Sequence, residues 1–336
     1  MPESALAAAL AAAVMASLNA YVLLGGADFG GGVWDLLAGG PRRDRQRALV
    51  ADAIGPIWEA NHVWLILVIV LLFTCFPAVF ARLSIGLHIP LSLMLVGIVL
   101  RGSAFTFRTY DSQRDDVQRR WGRIFAGASI GTPVLLGISV GTIASGAVRV
   151  PAGEGFAEVF VRPWLQPFPL AVGLLTLVLF AFLAAVYLMA EADDPALRED
   201  FRHRALGAGV AAFGAAALAL VLAREDAPLV WNRLLGSAWA VPVHLATAVF
   251  AVAALAAIWR RRAAAARLAA AAQVTCILWG WALSQYPFLL PPDLTYRSAA
   301  APAVTLRLVL AALAIGSIVL VPSLYYLFRV FKGRPA

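Results

Sequence analysis

Nine apolar runs, each long enough to cross a hydrocarbon core, set the terms for everything else in this chain. They cover about 5–38, 51–79, 84–108, 122–147, 168–191, 205–223, 238–259, 267–290 and 303–330. A core of about 30 Å takes ~20 mostly apolar residues as helix. The spacing therefore predicts an all-α integral membrane protein with nine transmembrane helices. Composition agrees: 62% of the 336 residues are hydrophobic, 14% are charged and the mean hydropathy is +0.82, a balance that would leave a soluble domain's surface unwetted. The first run exceeds one span, so it tilts or projects from the bilayer. It lacks a basic n-region and continues into YVLLGG, which reads as a retained helix rather than a signal peptide. No gap holds a folded domain, so residues 1–336 form one polytopic unit, with 148–167 as its largest outer loop.

Net charge is +8 and the isoelectric point about 10.2, but the arginines collect in short gaps between runs. They form no folded basic face, which argues against nucleic acid as a partner. Lys and Arg are retained on the cytoplasmic side of a membrane. The gaps after odd-numbered runs and the tail hold nineteen basic residues, the other gaps six. This alternation predicts an amino terminus outside and a carboxyl terminus in the cytoplasm. Cys75 and Cys276 both sit inside apolar runs without C-x-x-C spacing, so no disulfide scaffold or metal site is implied.

Against this oily background a few polar side chains stand out. The stretch GPIWEANHVW (55–64) opens the second run with Trp58, Glu59, Asn61 and His62. Glu59 falls about eight residues into the run, or ~12 Å from its cytoplasmic end. In the first run, GGADFGGG places Asp28 ~10 residues before the inner end, so the two carboxylates are expected at similar depth on antiparallel neighbours. Asp35 follows Asp28 by seven and Asp52 precedes Glu59 by seven, which would stack each pair on one helical face. Burying an ionised carboxylate costs at least ~2.5 kcal/mol, so such groups are used, paired or wetted. Glu59, Asp28, Asp35 and Asp52, with Asn61 and His62, are therefore candidate members of a proton path from the cytoplasm. The competing reading is structural: Asp28 or Glu59 accepts hydrogen bonds from Trp58, Asn61 or Trp64 and pins helices together. For Asp35 and Asp52 a solvated interfacial site is the simpler expectation.

Gly26 and Gly30, four apart, with Gly31 and Gly32, let another helix approach closely. In RGSAFTFR, Arg108 snorkels to headgroups, whereas the deeper Arg101 needs an anion: a carboxylate on a neighbouring helix, or the acid group of a lipid or cofactor. His62 lies one turn beyond Glu59 and suits a hydrogen bond to it better than ligation of a haem. WGWALSQYPFLLPPDLT (279–295) ends the eighth run with Gln285 and Tyr286 ahead of three prolines, so an irregular, protein-covered end is expected. Gln285 and Tyr286 are candidate quinone or partner contacts, and Asp293 a candidate cap for the next segment.

The segments GGADFGGGVWDLL, IGPIWEANHVWLI, FPAVFA, RGSAFTFR, LSQYPFLLPPDLT and LYYLFRVFKG, running in order from 25 to 333, resemble subunit II of the cytochrome bd-type quinol oxidases, including the cyanide-insensitive variants. The resemblance implies two four-helix bundles (about 1–150 and 165–330) plus one peripheral helix. It implies a bacterial cytoplasmic (inner) membrane protein that binds no haem itself, with b-type haems and haem d in a partner, subunit I. Membrane quinol is then oxidised and O₂ reduced to water. Membrane lipid, quinone and a small third subunit are the further partners, with a structural quinone or lipid reported for some members. Asp28 matches the family's helix-one aspartate, and Glu59 the acidic residue of W-[DE]-x-N, credited with proton conduction. Departures are Glu59, Ala60, His62 and Thr106, where many members carry Asp, Gly, Glu and Glu. Two other classes fit buried carboxylates and broken helices: a proton-coupled permease, though no internal repeat is detectable, and the membrane anchor of another quinone-linked redox enzyme.

Overall fold

The computed structural model describes residues 2–54, 58–110, 115–149 and 153–332, without the side chains of 54, 58–60, 108–110, 115–119, 328, 331 and 332. The long helices are α1 (Glu3–Leu36), α3 (Trp58–Cys75), α5 (His88–Tyr110), α6 (Asp115–Ser145), α8 (Pro167–Glu191), α9 (Pro195–Asp226), α11 (Ala240–Trp259), α12 (Ala263–Gln285) and α13 (Ala303–Lys332). Shorter helices α2 (Arg43–Ile54), α4 (Pro77–Gly86), α7 (Phe156–Phe160) and α10 (Pro228–Gly236) lie between them. Among the described residues, eight helices are long and apolar enough to cross a membrane, and a ninth span results if α3 and α4 are taken together. The architecture is that of a multi-pass helical membrane protein.

The run expected over 51–79 as one helix is broken near its carboxyl-terminal end, between α3 and α4. Its start belongs to α2, whose sequence RDRQRALVADAI is too polar for the bilayer and is held at one end of the bundle by α9. Arg42, just before α2, donates to both oxygens of Asp200 at 2.8 and 2.5 Å, and Gln46 donates to Asp200 at 2.9 Å. Arg45 pairs with Asp194. Asp52 is exposed on α2 while Glu59 is in α3. The expected ladder of Asp52 and Glu59 depends on residues 55–57 and on the Glu59 side chain, which lie outside the described residues. At the other end Pro77, lacking an N–H and sterically opposed to helical geometry in its predecessor, pushes Phe76 to φ −137, ψ 60. The chain bends by 118° into α4.

Helix α8 packs against α9, α6 and α1 and forms the middle of the main core. Close approach to α1 depends on glycine: a Cβ at Gly30 would collide with the Phe180 carbonyl oxygen, and one at Gly26 would sit 2.8 Å from the Phe180 ring. Trp34 then reaches across, its indole Nε1 donating to the Ala181 carbonyl at 2.8 Å. A second core joins Leu6, Leu10, Leu71 and Phe76 to Leu290, Tyr296 and Leu306 at the opposite end of the bundle. There α12 stops at Gln285, short of the expected 290. A two-stranded hairpin, Phe288–Leu290 with Leu294–Thr295, turns at Pro291 and Pro292. Asp293, expected as a helix cap, instead accepts from Arg82 at 2.7 Å, because no helix begins beside it.

Candidate functional site

The polar residues singled out in the first three apolar runs converge around Asp28. Asp28 is 5% exposed on α1. The side-chain amide of Asn61, on α3, donates to its carboxylate at 2.5 Å. From α5, Arg101, 2% exposed, donates through Nη2 to the Asp28 main-chain carbonyl at 2.8 Å and interacts electrostatically with the carboxylate. Its guanidinium lies 4.7 Å above the Phe29 ring and 5.4 Å from the centre of Phe125, on α6. Aromatic faces carry negative electrostatic character, so the two rings stabilise a cation enclosed inside the bundle. Of the anions expected for Arg101, the Asp28 carboxylate on a neighbouring helix acts on it electrostatically, while its hydrogen bond goes to the Asp28 main chain.

His62 stands against the same patch, its ring centre 5.9 Å from Tyr21 and 6.1 Å from Phe29. Asn61 and His62 follow Glu59 by two and three residues, so the Glu59 main chain lies about 3 Å of helical rise from the residue bonded to Asp28. Glu59 and Trp58 occupy the first turn of α3, and Arg108 the end of α5; their side chains, and hence the contacts expected of them, lie outside the described residues. Ser129, facing Gly32 across the α1–α6 contact, and Thr132, facing Gly97, are fully enclosed. Their hydroxyls, Asn61 Oδ1 and Arg101 Nε have no hydrogen-bond partner among the described residues. Orphaned buried polar atoms in such number normally mark ordered water or a further binding partner.

Asp35 is not the solvated interfacial carboxylate its position suggested. It is 3% exposed, with Arg47 Nε 3.9 Å from Oδ1 and 3.3 Å from its main-chain oxygen. The turn between α1 and α2 folds back and covers it, so Asp28 and Asp35 form a buried two-turn ladder on α1. Asp52 lies outside this group, on the exposed face of α2.

Gln285 and Tyr286 belong to the opposite end of the bundle. Gln285 is buried, with Oε1 unmatched among the described residues. Tyr286 is exposed and stacks on Tyr296 at 5.5 Å, and its main-chain oxygen accepts from Arg233. The Tyr296 hydroxyl faces that of Tyr286 at 3.2 Å and accepts from Arg297 Nε at 2.9 Å. These two partners hold its pKa below the usual tyrosine value.

Sequence reasoning missed Tyr21, although it precedes Asp28 by seven and so shares its face. It also missed the Arg42–Asp200 pair, whose members lie 158 residues apart with no local signal. The four histidines occupy separate surroundings: His62 by Tyr21, His88 against Phe156 and Phe160, His203 beside Glu199 and His244 exposed on α11. They do not come together as paired axial ligands. No group of three or more His, Cys, Asp or Glu that could hold a metal occurs among the described residues.

Among the described residues, eight or nine apolar helices around a buried Asp–Asn–Arg cluster define a multi-pass membrane protein with ionisable side chains enclosed inside the bundle. Residues 6–331 match the family model described as cytochrome bd terminal oxidase subunit II, and the chain belongs to that family. It is 22% identical over 324 residues, 93% of this chain and 91% of the relative, to the putative cytochrome bd menaquinol oxidase subunit II of Bacillus subtilis. It is 28% identical over 178 residues to the cytochrome bd-I ubiquinol oxidase subunit 2 of Escherichia coli, covering 51% of this chain and 45% of that one. A second Bacillus subtilis relative, cytochrome bd ubiquinol oxidase subunit 2, is 35% identical over 88 residues, 26% of this chain and 25% of its own. The match thus spans less than half the length of these last two relatives. The fold is shared with the bd oxidase structure from Geobacillus thermodenitrificans at a TM-score of 0.80 and 23% identity, over 97% of this chain and 98% of that one.

Proposed function

We propose that this chain is the non-haem subunit of a bd-type quinol:O₂ oxidoreductase in the bacterial inner membrane, where it stabilises a haem-bearing subunit I and delivers cytoplasmic protons to it. The observation that carries the reading is Asp28, a carboxylate enclosed inside the bundle, bonded by Asn61 and beside the buried Arg101. A chain that needed only packing there would be served by leucine at lower cost. Asp28 and Glu59 are the proton carriers, Asn61 and Arg101 orient and balance Asp28, and Asp35 feeds it from the inner end. The buried hydroxyls and amide oxygen without a partner among the described residues support a wetted route between them. Haem and quinol chemistry belongs to the partner; this chain's own groups hold and pass protons.

Orientation follows from charge. The turns after α1, α8 and α11 meet at one end, tied by Arg42–Asp200, Arg45–Asp194 and Arg261–Glu199. These are gaps that the arginine count assigns to the cytoplasm, so the amino terminus lies outside. In this reading the helices group as two four-helix bundles, about 1–150 and 165–330, with the little-buried α13 peripheral.

The test is purification of the tagged chain from its native membrane with an optical spectrum and a subunit inventory. A haem-bearing partner should co-purify and lose quinol:O₂ activity when this chain is deleted. A fully active oxidase recovered without the chain refutes the proposal.

A further inference from the structure

The turn joining α11 to α12 is only three residues long, and all three are arginine: Arg260, Arg261 and Arg262. Arg261 sits at φ 57, in the left-handed region, and the Arg262 N–H reaches back to the Ala257 carbonyl at 2.8 Å. That six-to-one bond closes a helix end of the kind whose left-handed position is ordinarily glycine, because any Cβ there is crowded by the backbone. Arg261 is the only non-glycine residue with positive φ among the described residues. A side chain kept where glycine would be easier points to a use for that side chain.

The surroundings indicate what the use is. Arg261 pairs with Glu199 at 3.3 Å and Arg267 with Glu191 at 3.8 Å, whereas Arg260 and Arg262 are exposed and make no ion pair among the described residues. Beside them Trp259 is 70% exposed and Leu268 74% exposed. Trp259 ends α11 and Leu268 lies in the second turn of α12, and α11 carries the exposed Leu245, Val249 and Val252. A cationic tip, an interfacial indole and an apolar wall below it match one occupant: an amphiphile with an anionic head and acyl chains. The planar guanidinium fork matches phosphate oxygens in particular. Glu199 accounts for the Arg261 side chain, and topological retention of arginines for positive charge somewhere in this gap, but neither accounts for two unpaired arginines beside an exposed tryptophan.

We propose that the Trp259–Arg262 turn, with Arg267 and Leu268, is a binding site for an anionic glycerophospholipid. Arg260 and Arg262 grip the headgroup phosphate, and Trp259 and Leu268 receive the start of the acyl chains.

The test uses the delipidated complex as purified in neutral detergent, titrated separately with phosphatidylglycerol, phosphatidylcholine and inorganic phosphate. Native mass spectrometry reads retention and thermal melting reads stabilisation. Phosphatidylglycerol should be retained and raise the melting temperature, with little effect from the other two. The double variant R260Q/R262Q should weaken phosphatidylglycerol binding about 30-fold, from two lost surface cations. Arg261→Gly, which relieves the backbone, should melt no lower than wild type without lipid yet retain less phosphatidylglycerol. Equal retention of phosphatidylcholine, equal stabilisation by inorganic phosphate, or unchanged retention in both variants would overturn the proposal.

Discussion

The side-chain amide of Asn61 donates to the carboxylate of Asp28 at 2.5 Å, joining α3 to α1 inside the bundle. A hydrogen bond to a charged acceptor contributes about 1.5–3 kcal/mol net when enclosed. Asn61→Leu keeps the volume and removes the donor, so it should lower the stability of the purified complex by about that amount, read by thermal melting. Asn61→Gln should recover part of the loss. A leucine variant as stable as wild type would remove this contact from the account.

Arg101 balances the same carboxylate from α5. Removing one partner of a buried charge pair costs about 3–5 kcal/mol because the other charge is left uncompensated. Arg101→Met should therefore reduce the yield of folded protein more than Asp28→Asn does. The double variant should be better tolerated than Arg101→Met alone. Purely additive effects in that cycle would show that Arg101 is held by its aromatic neighbours, not by Asp28.

The approach of α1 to α8 allows no side chain at residue 30, where a Cβ would strike the Phe180 main-chain oxygen. Gly30→Ala should force the helices apart and cost about 1–3 kcal/mol, the usual penalty of overpacking. Gly39→Ala, with no atom within 4 Å of its added Cβ, should be neutral and serves as the control. Fluorescence-detected size exclusion across a temperature series distinguishes the two.

Sidedness is testable by labelling. With Cys75 and Cys276 replaced by alanine, Arg262→Cys should resist a membrane-impermeant thiol reagent in intact cells and react after lysis. Glu154→Cys, in the exposed stretch between α6 and α7, should react in both conditions. The reverse pattern would invert the proposed orientation and with it the side from which protons are drawn.

Most span positions were readable from sequence because twenty apolar residues leave few alternatives to a transmembrane helix. The second run misled because its apolar length hides a sharp break and begins in a polar helix. The polar α2 is retained at the bundle end by Asp194 and Asp200, residues about 150 positions away, and the sharp bend depends on Pro77 acting on Phe76. Asp28 stood out as a lone acid in oil, and Arg101 as a cation needing one; their meeting required the packing of α1 against α3 and α5. The burial of Asp35 had no local signature, since it depends on the turn before α2 folding back to bring Arg47 near. Tyr21 was hidden by the ordinary role of tyrosine as core filler, although its seven-residue spacing from Asp28 could have drawn notice.

The central claim is that carboxylates within this chain carry protons toward a partner's oxygen-reducing centre. Quinol:O₂ turnover and proton uptake by the purified complex, reconstituted in liposomes, test it most directly through Glu59→Gln and Asp28→Asn. Measured per assembled, haem-loaded complex, both variants should lose at least about tenfold in turnover, with Glu59→Asp close to wild type. Full turnover and proton uptake in an assembled Glu59→Gln complex would contradict the claim and leave these groups a structural role alone.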